Sequence, residues 1–228
     1  MKEKLQVEND SHLIILSKKQ SQGQGQHGRQ WLSLDQGVQY LSSLTLLSPL
    51  PTAYLPMSNI LLSLLWVDLF KQLYDLEIKI KWPNDLYFNG KKCGGILSEL
   101  WDIHTRQLLV GIGINLWGET PKSLPDATSI FSNHETLPDL ITLTRQFLLK
   151  WEVCTFDQKK DLNGWIRRGF LQHCAFTDCL YTPINSNQNI PAQIFDIEDT
   201  GALVIGLTKE KKTISTHSGQ IRKNPHKL

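Results

Sequence analysis

The sequence has few cysteines, and their spacing indicates neither a disulfide framework nor a metal site. Cys93, Cys154, Cys174 and Cys179 form no C-x-x-C pair. That pattern gives no sign of a disulfide framework or a cysteine-rich metal site. The first residues also lack the long apolar segment of a signal peptide. We therefore expect reduced thiols and a cytoplasmic protein.

An excess of charge of either sign is also missing. The chain has 24 Lys and Arg against 22 Asp and Glu, a formal net charge of +2, which is too balanced for a nucleic-acid-binding surface. The longest apolar stretch, Ile60–Val67, is interrupted by Ser63 and is far shorter than the roughly 20 residues that span a bilayer. No helix-turn-helix pattern precedes the first predicted strand. We expect neither nucleic acid nor a membrane as a partner.

The 228 residues are enough for one large and one small domain. Residues 1–174 mix strand patterns with helical ones; Pro56–Asp75, for example, has apolar residues at helical spacing and Ser58 as its expected N-cap. From about Ala175 the chain changes to short strands separated by turns, which suggests a small barrel. The predicted fold class is α+β, with a mixed sheet and helices in residues 1–174 and a barrel in residues 175–228.

The stretch Lys81–Glu99 holds most of the residues that could perform chemistry. Residues 76–82 alternate between apolar and polar, which predicts a half-buried strand. Asn89-Gly90 predicts a tight hairpin, since both residues tolerate positive φ, and Lys92 lies on its returning strand. Gly94-Gly95 leaves the backbone bare, so that a ligand can approach closely. The hairpin alone favours a plainer interpretation, a lysine-bearing turn with a solvated face.

This segment resembles the central motif of the biotin protein ligases, in which KWPND precedes a short hairpin and K-x-x-G-I-L-x-E. The matching residues are Lys81, Trp82, Pro83, Asn84, Asp85, Lys92, Gly95, Ile96, Leu97 and Glu99. Residues 108–116, LLVGIGINL, match the G-x-G-x-N strand of the same family. The chain resembles a monofunctional ligase, without the DNA-binding domain that some members carry.

A glycine-rich loop, Gly23-x-Gly25-x-x-Gly28, follows the first predicted strand. It is not a dinucleotide-binding turn, because no helical pattern follows it, but its N–H groups can still bind an anion. Biotin ligases have G-R-G-R-x-G-x-x-W here, and the glycines and Trp31 match. Gln24 and Gln26 stand in place of arginines, so the loop supplies less charge.

The resemblance implies biotin and ATP as substrates and Mg²⁺ as cofactor. Lys92 is expected to neutralise the biotin carboxylate and the α-phosphate, while Asn84 and Asp85 coordinate Mg²⁺ or orient the triphosphate and the acceptor amine. Asp85 is thus the expected metal ligand, and Trp31 is expected to stack on adenine. Further contacts are expected from Gln20, Gly23, Gln24, Gly25, Gln26, Arg29, Lys81, Gly95, Leu97, Gly111, Gly113 and Asn115, the last of these toward the nucleotide.

The implied fold is a catalytic domain like that of class II aminoacyl-tRNA synthetases and biotin ligases, followed by an SH3-like barrel. The implied activity is ATP-dependent formation of biotinyl-5'-AMP and transfer of biotin to a lysine of a biotin carboxyl carrier domain of acetyl-CoA carboxylase. Family members also carry a Ser/Thr-Ser/Thr-Asn signature near the start, which Asn9-Asp10-Ser11 does not replace.

Two alternatives remain at this point. A lipoate or octanoate ligase of the same superfamily would need a long apolar tunnel, and KWPND favours biotin instead. A non-catalytic biotin- or acceptor-binding protein is suggested by the missing arginines and the missing signature. The sequence leaves a homodimer open.

Overall fold

The computed structural model describes residues 13–17, 19–34, 37–47, 52–102, 104, 107–131, 137–156, 161–208 and 212–225. Two antiparallel sheets contain eleven of the thirteen strands in the described residues. No helix in the described part is long and apolar enough to cross a bilayer.

The first sheet has six strands and three helices belong with it. The sheet order is β1-β4-β8-β7-β6-β5. Its strands are β1 (Ile14–Ser17), β4 (Gly37–Leu47), β5 (Lys79–Lys81), β6 (Asp85–Phe88), β7 (Lys91–Asp102) and β8 (Gln107–Gly118). The short strands β2 (Gly23–Gln24) and β3 (Gln30–Trp31) pair with each other, and the helices are α1 (Ser58–Tyr74), α2 (Leu140–Phe156) and α3 (Leu162–His173).

The second sheet has five strands in the order β12-β11-β10-β9-β13. These are β9 (Asp178–Thr182), β10 (Ile190–Ile197), β11 (Leu203–Leu207), β12 (Lys212–Thr216) and β13 (Gln220–Lys223). A large sheet with helices and a smaller sheet confirms the predicted α+β class, but the predicted mixed sheet is wrong, because every strand pair of the first sheet is antiparallel. The division into domains at residue 174 stays a prediction.

The core lies between α1 and the first sheet. Trp66 is fully buried on α1, and its ring stacks on Phe147 of α2 at 4.9 Å between centroids. The predicted helix is confirmed, but the predicted N-cap is wrong, because Met57 occupies that position. The Ser58 hydroxyl instead shares a 2.6 Å hydrogen bond with Ser98 of β7. Cap prediction from local sequence failed because a tertiary partner took the hydroxyl.

The Asn89-Gly90 hairpin is confirmed, with φ of 49° and 76° at its two central residues. The strand predicted over residues 76–82 is shorter than expected: β5 begins at Lys79 and ends at Lys81. Gln220–Lys223 forms β13, which pairs with β9. The sequence Thr136-Leu137-Pro138-Asp139 predicts a helix start; Thr136 lies outside the described residues, and α2 begins at Leu140, where Asp139 Oδ2 accepts a hydrogen bond from Thr142 N at 2.8 Å.

Close contacts hold the second sheet against the first. Ala175 N donates to Ile80 O at 2.8 Å, and Trp82 Nε1 donates to Gly201 O at 3.1 Å. The Trp82 bond connects the KWPND turn directly to the turn between β10 and β11. The position of the second sheet is therefore fixed by the segment that carries Asn84 and Asp85.

Gly201→Ala should destabilise the protein more than its backbone angle alone explains. Gly201 has φ +79°, and a Cβ there would lie 2.7 Å from Pro56 O. The left-handed conformation costs a non-glycine residue about 1–2 kcal/mol, and overpacking adds about 1–3 kcal/mol. Gly90→Ala is the matched control, since its φ is +76° but nothing lies within 4 Å. Denaturant unfolding of the two variants should show a larger loss for Gly201→Ala; equal losses would mean that the Pro56 contact relaxes freely.

Candidate active site

One transverse row of residues crosses five strands of the first sheet. Leu41 pairs with Gly113, Gly113 with Gly95, Gly95 with Asp85, and Asp85 with Lys81. Paired residues in antiparallel strands point to the same face. The row therefore places a floor without side chains directly beside a carboxylate and an ammonium group.

A second bare position lies one row further along the same face. Gly111 pairs with Ser43 of β4 and Leu97 of β7. A Cβ on Gly111 would meet only Leu97 O, at 3.9 Å. The space above Gly111 is thus open, and the two rows together form a shallow groove along β7 and β8.

The Trp31 indole covers the first row. A Cβ on Gly113 would lie 2.7 Å from Trp31 Cε2 and 3.1 Å from its Nε1. The indole can occupy this position only because residue 113 is glycine. Its Nε1 is buried without a hydrogen-bond partner among the described residues.

Two lysines contact the Asp85 carboxylate. Lys92 Nζ lies 2.5 Å from Asp85 Oδ1, and Lys81 Nζ lies 3.4 Å from Oδ2. Burial lowers the pKa of Lys81, and the Asp85 carboxylate partly opposes that lowering. Two cations share one anion, so this end of the groove has an excess of positive charge. A bound anion would be stabilised there.

Asn84 fixes the turn that carries Asp85. Its Nδ2 donates to Ile96 O at 2.7 Å, while its backbone carbonyl accepts from Ile96 N at 3.0 Å.

The buried Cys93 follows Lys92, and burial raises the pKa of its thiol. A neutral thiol is a poor nucleophile, so the charged end offers electrostatic stabilisation rather than a covalent intermediate.

The predicted metal site has one carboxylate. No group of three or more His, Cys, Asp or Glu that could hold a metal occurs in the described part of the chain. Mg²⁺ commonly binds one or two carboxylates together with substrate phosphates, and Asp85 alone fits that requirement. Both of its oxygens contact ammonium groups, so an ion would have to displace a lysine contact.

A cavity of about 1050 Å³ contains this site. It is large enough for a ligand of nucleotide size. Of the predicted residues, those that line it are Gln20, Gly23, Gln24, Gly25, Gln26, Arg29, Trp31, Lys81, Asn84, Asp85, Lys92, Gly95, Leu97, Gly111 and Gly113. The structure thus brings nearly all of them together, and their roles remain predictions.

Asn115 is predicted to face the nucleotide, but it does not line the cavity. It is buried, its Oδ1 accepts from Gln39 Nε2 at 2.8 Å, and its Nδ2 donates to Thr128 O at 3.2 Å. These bonds connect β8 to Gln39 of β4 and to the segment at Thr128. The Asn9-Asp10-Ser11 segment lies outside the described residues.

Sequence reasoning missed an entire wall of the cavity. Segments 182–187 and 217–222 of the second sheet line it, and they include Asn185, His217 and Arg222. No local pattern connects these residues to the KWPND segment. Ser43 and Glu99 also line the cavity; the period of two along β4 and β7 could have placed both on the same face as Gly111.

Known proteins with similar sequences are biotin ligases. The chain is 33% identical over 115 residues to the bifunctional ligase/repressor BirA of Bacillus subtilis, covering 50% of this chain and 35% of that protein. It is 26% identical over 144 residues to the biotin–[acetyl-CoA-carboxylase] ligase of Mycobacterium tuberculosis, covering 62% of this chain and 53% of that one. The chain thus matches about a third to a half of the length of these relatives.

A solved structure has a similar fold. The biotin protein ligase from Aquifex aeolicus, in complex with biotin and ATP, superposes with a TM-score of 0.69 at 24% identity, covering 92% of this chain and 89% of that chain. The sequence model of the biotin/lipoate A/B protein ligase family matches residues 1–115. That match spans half of the sequence, and the chain belongs to the biotin/lipoate A/B protein ligase family.

Proposed function

We propose that this protein is an ATP-dependent biotin protein ligase. It joins biotin to AMP and then transfers the biotinyl group to a lysine of a biotin carboxyl carrier domain, such as that of acetyl-CoA carboxylase. The observation that carries the proposal is the row in which bare Gly95 and Gly113 adjoin Asp85 and its two lysines. The groove that begins at this row and runs along β7 and β8 can hold an apolar acyl chain with its carboxylate at the charged end.

The first step joins the acid to the nucleotide. A biotin carboxylate oxygen attacks the α-phosphorus of ATP, a mixed anhydride forms, and pyrophosphate leaves. Negative charge passes from the carboxylate to the phosphates, and the Lys92 ammonium lies beside that path. Electrostatic stabilisation by a fixed cation and correct positioning are sufficient for such a reaction.

The second step releases AMP. The acceptor lysine, as a neutral amine, attacks the acyl carbon, an amide forms, and the amine loses a proton. Asp85 and Asn84 lie at the end of the groove where this amine must arrive, and they would orient it. Mg²⁺, carried by the nucleotide phosphates, would have Asp85 as its protein ligand and would neutralise part of the phosphate charge.

Trp31 has a second role in this proposal. Its indole, which covers Gly113 here, would leave the floor and stack on adenine. Asn115 would then support the nucleotide side indirectly, through β8.

Residues 1–174 would form the catalytic domain and residues 175–228 an SH3-like barrel, which the five-stranded antiparallel order of the second sheet supports.

Mixing the purified protein with ATP, Mg²⁺ and a carrier domain tests the proposal. Labelled biotin should appear in the carrier domain, and labelled octanoate should not. Label from octanoate or lipoate alone would favour the second activity of the family. Binding of biotin without pyrophosphate release would favour a non-catalytic binding protein, and no binding would contradict the proposal.

The glutamines of the glycine-rich loop should let the adenylate escape readily. Hydrogen bonds to a charged group contribute about 1.5–3 kcal/mol, against about 0.5–1.5 for neutral pairs. Restoring arginine at Gln24 and Gln26 should therefore slow release of preformed biotinyl-adenylate by about tenfold or more. The measurement is a chase with unlabelled ligand. Gln188→Arg, at an exposed position outside the cavity lining, adds one positive charge away from the loop as a control; equal release rates in all three proteins would contradict the expectation.

A further inference from the structure

A side pocket of about 410 Å³ opens beside the glycine-rich loop. It is lined by Gln24, Gly25, Gln26, Gly28, Leu97 and Glu99. All of these except Gly28 also line the main cavity. The pocket therefore continues the groove, and its polar side chains are one carboxylate and two carboxamides.

The geometry of β7 sets the distance from the charged end to this pocket. Gly95, Leu97 and Glu99 share one face, and a strand rises about 3.3 Å per residue, so Glu99 lies roughly 13 Å from Gly95 along the strand. A ligand carboxylate held at Lys92 begins near Gly95, which pairs with Asp85. A five-carbon chain with bonds of about 1.5 Å extends roughly 6 Å. A ring system at its far end would lie between Leu97 and Glu99.

The floor under that ring is open. Leu97, Gly111 and Ser43 form the second row, and the Trp31 indole is not within 4 Å of a Cβ built on Gly111. The ring can therefore lie above Gly111 with its edge directed at Glu99. The glutamines of the loop border the same pocket from the other side.

The chemistry of the pocket matches a cyclic urea. Such a ring presents two N–H donors and one carbonyl acceptor. A carboxylate accepts N–H bonds, and a carboxamide N–H donates to a carbonyl. An unsubstituted alkyl chain offers neither kind of partner, so it would desolvate Glu99 without replacing its hydrogen bonds to water.

We infer that Glu99 is a specificity-determining residue that recognises the ureido ring of the acyl substrate and rejects alkyl acids of similar length. The inference rests on the proposed function. It assigns to Glu99 the choice between the two substrate classes of the family. Lys92 and Asp85 recognise only the carboxylate, which both classes share.

The test compares three acids in Glu99→Ala and Glu99→Gln proteins by titration calorimetry. Biotin and desthiobiotin carry the ureido ring, and octanoate does not. Glu99→Ala should weaken binding of the two ureido acids by about tenfold or more, since a charge-assisted hydrogen bond is lost, and leave octanoate unchanged or tighter. Glu99→Gln should give an intermediate loss. Glu152→Ala removes an exposed carboxylate of α2 that does not line the cavity, and it should bind all three acids like the unmodified protein.

The outcomes separate this inference from the proposed function. An equal loss for all three acids would overturn it, because Glu99 would then act through the shape of the groove. Unchanged biotin binding in Glu99→Ala would overturn it as well. If the unmodified protein binds biotin and labels the carrier domain in either case, the proposed function stands; if it binds none of the acids, both fail. Thermal unfolding of each variant checks that the fold is retained.

Discussion

Lys92→Ala should lower the rate of adenylate formation by about 10²- to 10³-fold, which is the usual effect of removing one electrostatic group from the reacting charge. Lys92 Nζ is the ammonium closest to Asp85, at 2.5 Å, at the end of the glycine floor. Without it the carboxylate and the α-phosphate meet with their charges less neutralised. Pyrophosphate release in the presence of biotin and ATP is the measurement.

The neighbouring lysine provides the control for that experiment. Lys91 is exposed and does not line the cavity, so Lys91→Ala should be nearly silent. The Lys92 side chain is about one third exposed, so its loss should leave the fold intact. A rate within threefold of the unmodified protein for Lys92→Ala would remove this lysine from the mechanism.

Gly113→Val should weaken biotin binding by about 100-fold while the protein still folds. A side chain at residue 113 fills the floor where the acyl chain would lie, and overpacking costs about 1–3 kcal/mol, the upper value corresponding to roughly 100-fold. The atoms that it meets first, at 2.7–3.1 Å, belong to the nitrogen-bearing edge of the Trp31 indole, a side chain rather than backbone. The indole can move away, so the free energy of unfolding should change little. Calorimetric titration with biotin and denaturant unfolding measure the two effects.

Trp31→Ala tests whether Gly113→Val weakens biotin binding by filling the floor or by displacing the indole. As a single variant it removes the indole and leaves the glycines bare, so biotin binding should suffer less than in Gly113→Val. In the double variant the small loss of stability should be recovered and the loss of binding should remain. Normal biotin affinity in Gly113→Val would mean that the acyl group binds elsewhere in the cavity.

The chemistry of the charged end could be predicted because its residues are close in sequence. Asn89-Gly90 sets the hairpin register, which pairs Lys92 with Tyr87; a register shift at Cys93 then puts Lys92 on the same face as Gly95, where its ammonium reaches Asp85. Period-two alternation likewise places Gly111 and Gly113 on one face of β8. Turn chemistry and strand period are local rules that account for the hairpin and for the two glycines of β8, but neither predicts the register shift in β7.

The remaining parts of the site depend on long-range packing. Ser58 bonds to Ser98 and Asn115 bonds to Gln39, and neither partner is indicated by the local sequence. The wall with Arg222 comes from β13, which pairs with β9 across some forty residues. Such pairings follow from how the two sheets pack, so the local patterns of a single sequence give no sign of them.

The indole on Gly113 also affects the heat of ligand binding. When an acyl group replaces the indole on the floor, the acyl chain and the floor bury apolar surface. The departing indole at the same time exposes apolar surface to water. The heat-capacity change of binding follows the net apolar surface removed from water, so for the acid alone it should be smaller than the buried area of the acid suggests. A nucleotide that then covers the indole removes that surface again, and most of the heat-capacity change falls in the second binding step.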